Sequence, residues 1–267
     1  MTNIGWIGLG MVGKEMVRHL LQNSYDVTVY ARGEGLSASI KRGARTMNNY
    51  CSLAAHSDIL GLCVFSDEQM RHILFGENAL AAMRPGSTLL IHTTGSPAFA
   101  EEIANAAPEG VAVIDATFSG GKVETEEGRL TIMAGGDAEA INKARFVMDC
   151  YTKKIYHVGP AGRGQMLKLL NNLLFATNVQ NAYTVACIAE QTGIKVQELA
   201  EIISDCSGAS FAMNLFRAPY SSETLIDSVR PYLAKDVSAA LSAARETGLD
   251  VSAFDATLAF YCNHTDS

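Results

Sequence analysis

The sequence GRGQMLKLLNN, residues 162–172, separates two parts of the chain that have different patterns. Before it, short apolar runs alternate with segments of helical spacing, which is typical of a parallel β-sheet covered by helices. From it onward only helical spacing is found, and the stretch itself opens a helical pattern that ends before Gly193. We therefore predict an α/β domain over residues 1–161 and an all-α domain over residues 162–267, joined through a long interdomain helix.

Two polar residues of this stretch are candidates for a site. Lys168 and Asn172 are four residues apart, so a helix places them on one face. An amine and an amide are then directed to the same place near the boundary of two predicted domains, where ligand sites commonly form. A lone lysine on a helix is more often a surface residue, so the rest of the chain has to decide its role.

Composition excludes several classes of protein. The chain has 267 residues, 48% of them hydrophobic, and a net charge of −7, which is unlike a disordered chain and gives no electrostatic reason to bind nucleic acid. No apolar run approaches the roughly 20 residues that cross a bilayer, and no basic leader precedes Ile4. We expect a cytoplasmic protein without nucleic-acid or membrane partners. The six cysteines are scattered, which predicts reduced thiols and no metal site.

The N-terminal sequence IGWIGLGMVG, residues 4–13, reads as a strand and a glycine-rich turn, and helical spacing follows. Its glycines match GxGxxG: the first makes the turn, the second lets a pyrophosphate approach, and the third permits close packing of helix on strand. A second strand follows at residues 26–30, so we predict a Rossmann-type, doubly wound sheet that binds a dinucleotide. A turn kept only for packing is the alternative. The expected cofactor contacts are Gly8, Leu9, Gly10, Met11, Val12 and Gly13.

The end of the second strand bears on which dinucleotide binds. NAD-binding units usually carry an Asp or Glu there for the ribose 2′-hydroxyl, whereas this chain has Tyr30, Ala31 and Arg32. Arg32 could pair with the 2′-phosphate of NADP, so we predict contacts from Ala31 and Arg32 and favour NADP. NAD, with Glu34 on the ribose and Arg32 in solvent, is the alternative.

Residues after two further predicted strands, 59–64 and 88–92, are expected to line the cofactor. Ligands of such sheets bind beyond the carboxyl ends of the strands. This predicts a rim over the cofactor formed by Val64, Phe65, Ser66, His92, Thr93 and Thr94. Within it we interpret His92 as a polar strand-end residue and not as a catalytic one.

The segment DATFSGG, residues 115–121, offers a possible carboxylate site. Ser119, Gly120 and Gly121 supply a hydroxyl and successive backbone N–H groups, which suit an anion, although such a tripeptide is also common in plain turns. Near the C-terminus, Lys235 and Asp236 stand at the start of a helical segment. As a bare pair they are more often a solvated helix end than a site.

Taken in order, GLGMVG at 8–13, DATFSGG at 115–121, GRGQMLKLLNN at 162–172 and AKD at 234–236 resemble the β-hydroxyacid dehydrogenase family over nearly the whole chain. The resemblance implies hydride transfer between NADP or NAD and a small carboxylate-bearing aldehyde, ketone or hydroxy acid. It implies Lys168 as general acid/base with Asn172 as its hydrogen-bonding companion. It also implies contacts to the substrate or its cleft from Ser119, Gly120, Gly121 and Asp236, and contacts to the cofactor from Lys235, Thr94 and residues 64–66.

The chain departs from the family pattern at four places, one of which is Ser228, eight residues before Asp236, where an aromatic residue is usual; we expect a roomier or more polar pocket there. Thr117 replaces the usual proline, which we expect to loosen the carboxylate loop. Lys122 replaces an apolar residue and either binds a more acidic substrate or pairs with Glu124. The chain ends at Ser267, about where the last helix of the family would continue, although we still expect a homodimer or homotetramer through the C-terminal domain.

Two other functions stay open. An imine reductase of the same fold is disfavoured, because those relatives more often carry an acidic or phenolic residue at the position of Lys168. A non-catalytic dinucleotide-binding module is disfavoured, because Lys168, Asn172 and Ser119 are all present.

Overall fold

The computed structural model describes residues 2–30, 34–246, 248 and 250–262. Its contacts divide the chain into two compact units, Met1–Lys168 and Leu169–Ser267. The functional boundary that the sequence places between residues 161 and 162 stays a prediction. Within the described ranges, no helix combines the length and the apolar character that crossing a membrane requires.

The first unit contains an eight-stranded sheet in the order β3-β2-β1-β4-β5-β6-β7-β8. All neighbouring strands are parallel except β6 and β7. This confirms the predicted doubly wound α/β architecture. The strands are β1 (Ile4–Ile7), β2 (Val27–Tyr30), β3 (Arg45–Thr46), β4 (Ile59–Leu62), β5 (Thr88–Ile91), β6 (Ala112–Ser119), β7 (Leu130–Gly135) and β8 (Thr152–His157).

Helices cover both faces of this sheet, and alternate residues of β1 face opposite layers. Ile4 and Trp6 pack in a core with α1 and α7, whereas Ile7 packs in a second core with α3, α4 and α5. A central parallel strand is thus buried on both faces, as its continuous apolar run predicts. The helices are α1 (Gly13–Gln22), α2 (Glu34–Lys41), α3 (Tyr50–His56), α4 (Asp67–Arg71), α5 (Pro97–Ala106), α6 (Lys122–Glu126) and α7 (Ala138–Met148).

The pairing of β6 with β7 differs from the parallel arrangement that the sequence predicts. The two strands are antiparallel, with Ser119 opposite Thr131. Their connection holds only the short helix α6, whereas a parallel crossover needs a dozen or more residues. The pairing also extends β6 as far as Ser119, so the carboxylate loop begins directly from a strand.

The second unit is helical, as predicted. Helix α8 begins in the first unit and continues into the second. Lys235 and Asp236, which the sequence places at the start of a helical segment, lie in the interior of helix α11, because this helix runs without a break through Pro231. Buried Ile226, Leu233 and Val237 continue one apolar face past the proline, and this packing compensates for the backbone hydrogen bond that proline cannot make. The helices are α8 (Arg163–Gln191), α9 (Val196–Ser204), α10 (Phe211–Asn214), α11 (Ser222–Glu246) and α12 (Asp255–Cys262).

Candidate active site

The glycine-rich turn between β1 and α1 fits a dinucleotide pyrophosphate. Gly8 has a φ of +94°, and a Cβ there would lie 2.1 Å from the carbonyl oxygen of Cys63. A Cβ at Gly13 would lie 2.2 Å from the carbonyl oxygen of Gly8, so α1 packs directly on the turn. A Cβ at Gly10 would meet nothing within 4 Å, which leaves its backbone open to a ligand. The three glycines therefore have the three separate roles that phosphate binding needs.

The other predicted contacts of this turn differ in exposure. Leu9 is buried, Val12 is half-buried and Met11 is exposed. Ala31 and Arg32, the residues predicted to choose between NADP and NAD, lie outside the described residues.

The predicted rim at the ends of β4 and β5 is held together by Thr93. Its hydroxyl accepts a hydrogen bond from the Val64 N–H at 2.9 Å, which joins the loops that follow the two strands. Phe65 is exposed and Thr94 is half-buried, so both are partly accessible. Ser66 has a second role, because its hydroxyl caps α4 by accepting from the N–H of Gln69.

His92 does not lie on the rim, because it is fully buried. It stacks on Trp6 with 5.4 Å between ring centroids. Nδ1 donates to the carbonyl oxygen of Ala116 at 2.7 Å, and Nε2 lies 3.2 Å from the Tyr151 hydroxyl. Burial lowers the pKa of His92 to about 4, so the ring is neutral at neutral pH. These contacts fit the interpretation of His92 as a non-catalytic residue.

The carboxylate loop starts at the end of β6, where Ser119 is half-buried. Gly120 has a φ of +141°, a conformation that favours glycine. The N–H of Gly121 donates to Glu124 Oε2 at 2.8 Å, so a carboxylate of the protein already occupies this donor. Of the three residues predicted to bind a carboxylate here, Ser119 with its hydroxyl and Gly120 with its N–H are then the candidate donors.

Lys122 points into solvent beside this loop. Its side chain is 73% exposed, and Nζ lies 3.8 Å from Glu126, one turn along α6. The ion-pair partner is therefore Glu126 and not Glu124, because Glu124 is engaged by Gly121. Such an exposed pair contributes little to stability and can exchange with a ligand.

Lys168 lies in the second turn of α8, at the end of the first unit. Its Nζ is 5.9 Å from the centroid of the Phe118 ring. Phe118 directly precedes Ser119, so the ammonium group lies against the strand from which the carboxylate loop begins. Within the first unit, the structure thus associates the predicted acid/base with the strand that carries the predicted carboxylate site.

The buried acid Asp115 contacts the start of α8 shortly before Lys168, and the sequence did not identify it as a site residue. Asp115 accepts from the N–H of Gly162 at 3.0 Å and from the N–H of Gln165 at 2.8 Å. Burial raises the pKa of Asp115 to about 6, and these hydrogen bonds limit the rise. An acidic residue inside the apolar run VAVIDATF was the available signal, because a buried carboxyl group needs partners.

Gln165 and Thr117 add further contacts to this turn of α8. The Gln165 amide donates to the carbonyl oxygen of Thr93 and accepts from the N–H of Gly95. Thr117 Oγ1 donates to the carbonyl oxygen of Gly164 at 2.9 Å, with that of Met133 at 3.2 Å. The expectation that Thr117 loosens the loop is therefore wrong, since its hydroxyl ties β6 to α8 in a way that proline cannot.

In the second unit, Asn172 and Asp236 form a buried pair. Asn172 Nδ2 donates to Asp236 Oδ2 at 2.5 Å, and Asn172 Oδ1 accepts from Asn171 at 3.0 Å. Lys235, the neighbour of Asp236 on α11, is half-buried. The AKD motif thus supplies the carboxylate that orients the Asn172 amide. Among the residues the structure describes, no cluster of His, Cys, Asp and Glu could hold a metal ion.

Comparisons with known proteins cover both units. Residues 3–159 match the family described as the NAD binding domain of 6-phosphogluconate dehydrogenase. Residues 162–264 match the family described as NAD-binding of NADP-dependent 3-hydroxyisobutyrate dehydrogenase. Together these two matches account for almost the whole chain.

Several similar proteins are named as dehydrogenases. The 2-(hydroxymethyl)glutarate dehydrogenase of Eubacterium barkeri is 34% identical over 79% of this chain and 71% of the relative. The NAD-dependent L-serine dehydrogenase of Pseudomonas aeruginosa is 30% identical over 98% and 91%. A solved 3-hydroxyisobutyrate dehydrogenase of Mycobacterium tuberculosis with L-serine is 25% identical, with a TM-score of 0.86 over 98% and 93%. Three solved imine reductases are 17–20% identical, which shows the shared fold alone.

Proposed function

Because the chain belongs to the β-hydroxyacid dehydrogenase family, we propose that it interconverts a small carboxylate-bearing aldehyde or ketone and its hydroxy acid with NADP. It is an oxidoreductase with NAD(P)-binding domains, of a family that acts on hydroxy acids. In this proposal Lys168 is the general acid/base. The observation that carries it is the position of the Lys168 ammonium against Phe118, directly before Ser119.

The residues of this chain divide the work as follows. Lys168 gives a proton to the carbonyl oxygen in reduction and takes it back from the hydroxyl in oxidation. The hydride chemistry is supplied by the nicotinamide when it is bound. Asn172 offers its second amide N–H to the substrate, and Asp236 fixes the orientation of that amide.

The substrate carboxylate is recognised in the proposal by the Ser119 hydroxyl and the Gly120 N–H. Gly121 shapes the loop, while its own N–H stays with Glu124. Lys122 is close in sequence and only weakly paired, so it supplies a second positive charge for a substrate with a further acidic group. One relative is named for such a diacid, 2-(hydroxymethyl)glutarate.

NADP is proposed over NAD on the residues that follow β2. Tyr30 ends the strand and packs on Tyr50, with 4.0 Å between ring centroids, and no carboxylate stands at positions 30–32. Arg32 then pairs with the 2′-phosphate. NAD remains the alternative, since one relative is named as NAD-dependent.

We expect a higher kcat/KM with NADPH than with NADH, and a smaller ratio of the two values in Arg32→Ala. A wild-type preference for NADH would refute the choice of NADP.

A screen of substrates tests the proposed reaction. Small aldehyde acids, keto acids and hydroxy acids are supplied with each nicotinamide cofactor, and the absorbance of the reduced nicotinamide is followed. Turnover of acids should exceed that of matched neutral aldehydes and alcohols, because those analogues lack the carboxylate. Equal turnover of acids and neutral analogues would count against the loop at Ser119 as the carboxylate site.

The same screen addresses the two alternatives. Cyclic imines are included because imine reductases share the fold; turnover of imines without turnover of acids would favour that function. A binding module would take up NADPH, measured by its fluorescence, without turnover of any compound. The family of the chain disfavours this last outcome.

Assembly and location remain proposals. Exposed apolar side chains on α8, including Leu170, Leu174 and Ile188, support self-association through the second unit as a homodimer or homotetramer. Sedimentation analysis of the full chain would show a dimer or tetramer if this is correct and a monomer if it is not. The cytoplasmic location stays a prediction from the sequence.

A further inference from the structure

One face of β6 carries three polar residues at alternate positions: Asp115, Thr117 and Ser119. Side chains two residues apart on a strand point to the same side. The first two contact the start of α8, through its N–H groups and the Gly164 carbonyl respectively. The third opens the carboxylate loop. A single strand therefore connects the turn that precedes Lys168 with the proposed substrate carboxylate site.

The carboxyl group of Asp115 occupies a closely fitted space. A Cβ at Gly135 would lie 2.4 Å from Asp115 Oδ1. A Cβ at Gly164 would lie 2.3 Å from the Asp115 carbonyl oxygen and 2.8 Å from its Oδ2. Glycine at both positions lets β7 and α8 approach the acid from two directions. Small movements of α8 against β6 would therefore create steric overlap.

The polar contacts of the same turn are complementary. The first N–H groups of a helix have no partner within it, and Asp115 accepts two hydrogen bonds from this region, from Gly162 and Gln165. Thr117 instead donates to the Gly164 carbonyl. We call this set, Asp115 and Thr117 with Gly162, Gly164 and Gln165, the β6–α8 clasp.

We propose that Asp115 and Thr117 are positioning residues, and that the β6–α8 clasp sets the distance between the Lys168 amine and the carboxylate loop at Ser119. Lys168 follows Gln165 by three residues, one helical turn, and Ser119 follows Thr117 by two. Neither Asp115 nor Thr117 has to touch the substrate. The inference rests on the proposed roles of Lys168 and Ser119, and it adds that their spacing is built into one strand.

Two pairs of variants test the clasp. In Asp115→Asn the carboxylate is replaced by an amide, which has one acceptor oxygen and turns an NH2 group toward the second N–H. Asp137→Asn is the matched control, because Asp137 caps α7 by accepting one hydrogen bond, from Ala140, and asparagine can do the same. Thr117→Val removes the hydroxyl at nearly constant shape, and Thr117→Ser keeps it.

The expected result is a fall in kcat of about 10-fold or more in Asp115→Asn, because displacing a reacting group by a fraction of an ångström to 1 Å costs this much. Thr117→Val should show a smaller fall and Thr117→Ser recovery. NADPH affinity should be unchanged. Hydrogen exchange of a peptide covering residues 162–172 should rise in Asp115→Asn and Thr117→Val and not in Asp137→Asn.

Three results would overturn the inference: an unchanged kcat in both Asp115→Asn and Thr117→Val, unchanged exchange at residues 162–172, or a loss of NADPH affinity as large as the loss of kcat. If Asp115→Asn does not fold, the valine and serine variants of Thr117 decide alone. Failure of the proposed function is separate: Lys168→Ala with full activity would remove the acid/base role, while the exchange data would still report whether the clasp holds α8.

Discussion

The two polar residues of the candidate site lie on consecutive turns of α8 but are held in different ways. The turn before Lys168 is bound through its backbone, by the buried Asp115 and by Thr117 of the sheet. Asn172 is bound through its side chain, by Asp236 of another helix. Backbone contacts within close packing fix a position, whereas a side-chain pair fixes an orientation. The comparison predicts that changes at the first turn act through packing, and changes at the second through one hydrogen bond.

Gly164→Ala should have the largest effect on stability, because it changes the turn before Lys168, which is held by close packing. The new Cβ would lie 2.3 Å from the Asp115 carbonyl oxygen and 2.7 Å from that of Met133, so backbone must move. We expect a loss of at least about 3 kcal/mol, the upper end for overpacking, measured by denaturant unfolding. Gly10→Ala is the control, since its Cβ meets nothing within 4 Å; equal stability losses would contradict the close packing.

Ionisation of Asp115 gives a second, pH-dependent test of how the turn before Lys168 is held. Its pKa is raised from 3.8 to about 6, so the folded state favours the protonated form. Its contribution to stability is fully present below about pH 4 and is lost as the pH rises through 6. At about 1.4 kcal/mol for each unit of pKa shift, the unfolding free energy falls by up to about 3 kcal/mol.

The measurement is the difference in unfolding free energy between wild type and Asp115→Asn, from pH 4 to pH 7. Subtraction removes the pH dependence that the two proteins share through other charged or ionisable groups on the surrounding elements, which include Glu101 of α5, His92 of β5 and His157 of β8, together with Arg163 and Lys168 of α8 itself. As the pH rises, the unfolding free energy of the wild type should fall relative to that of Asp115→Asn. A constant difference would show that Asp115 has no raised pKa.

Asp236→Asn should give the smallest effect, on the side that depends on one hydrogen bond. The substitution weakens the hydrogen-bond acceptor for Asn172. If the less well oriented amide raises the activation free energy by about 1.4 kcal/mol, kcat falls about 10-fold. Asp227→Asn on the same helix is the control, because Asp227 is 74% exposed. If both variants keep the wild-type kcat, the Asn172–Asp236 pair has no part in turnover.

The difference between the two turns also explains what the sequence could predict. The GxGxxG turn and the extent of α8 depend on neighbouring residues, so local patterns identified them correctly. The hydrogen bond from Gly121 to Glu124 also has a local signal, since a carboxylate three residues after a helix N-cap commonly accepts from the N–H of the N-cap residue. The Asp115 contacts have no such pattern, because they join residues about 50 positions apart.

Two errors about the fold have the same origin. The antiparallel pairing of β6 with β7 depends on the length of a connection and not on the pattern of either strand. The continuity of α11 across Pro231 depends on packing against the rest of the second unit, which overrides the local preference of proline to end a helix. Motifs identified the candidate residues, Asp236 among them, whereas Asp115 and the hydrogen bonds of both acids came from the structure.

The kcat and the NADPH affinity of Lys168→Ala, measured with the acid that the substrate screen selects, test the central claim most directly. Lys143→Ala is the control, because its side chain is 72% exposed and pairs with Glu139 on the surface. If Lys168 transfers the proton, Lys168→Ala loses at least about 100-fold in kcat while NADPH binding stays nearly intact and Lys143→Ala is unaffected. A Lys168→Ala variant that keeps most of its kcat would contradict the account.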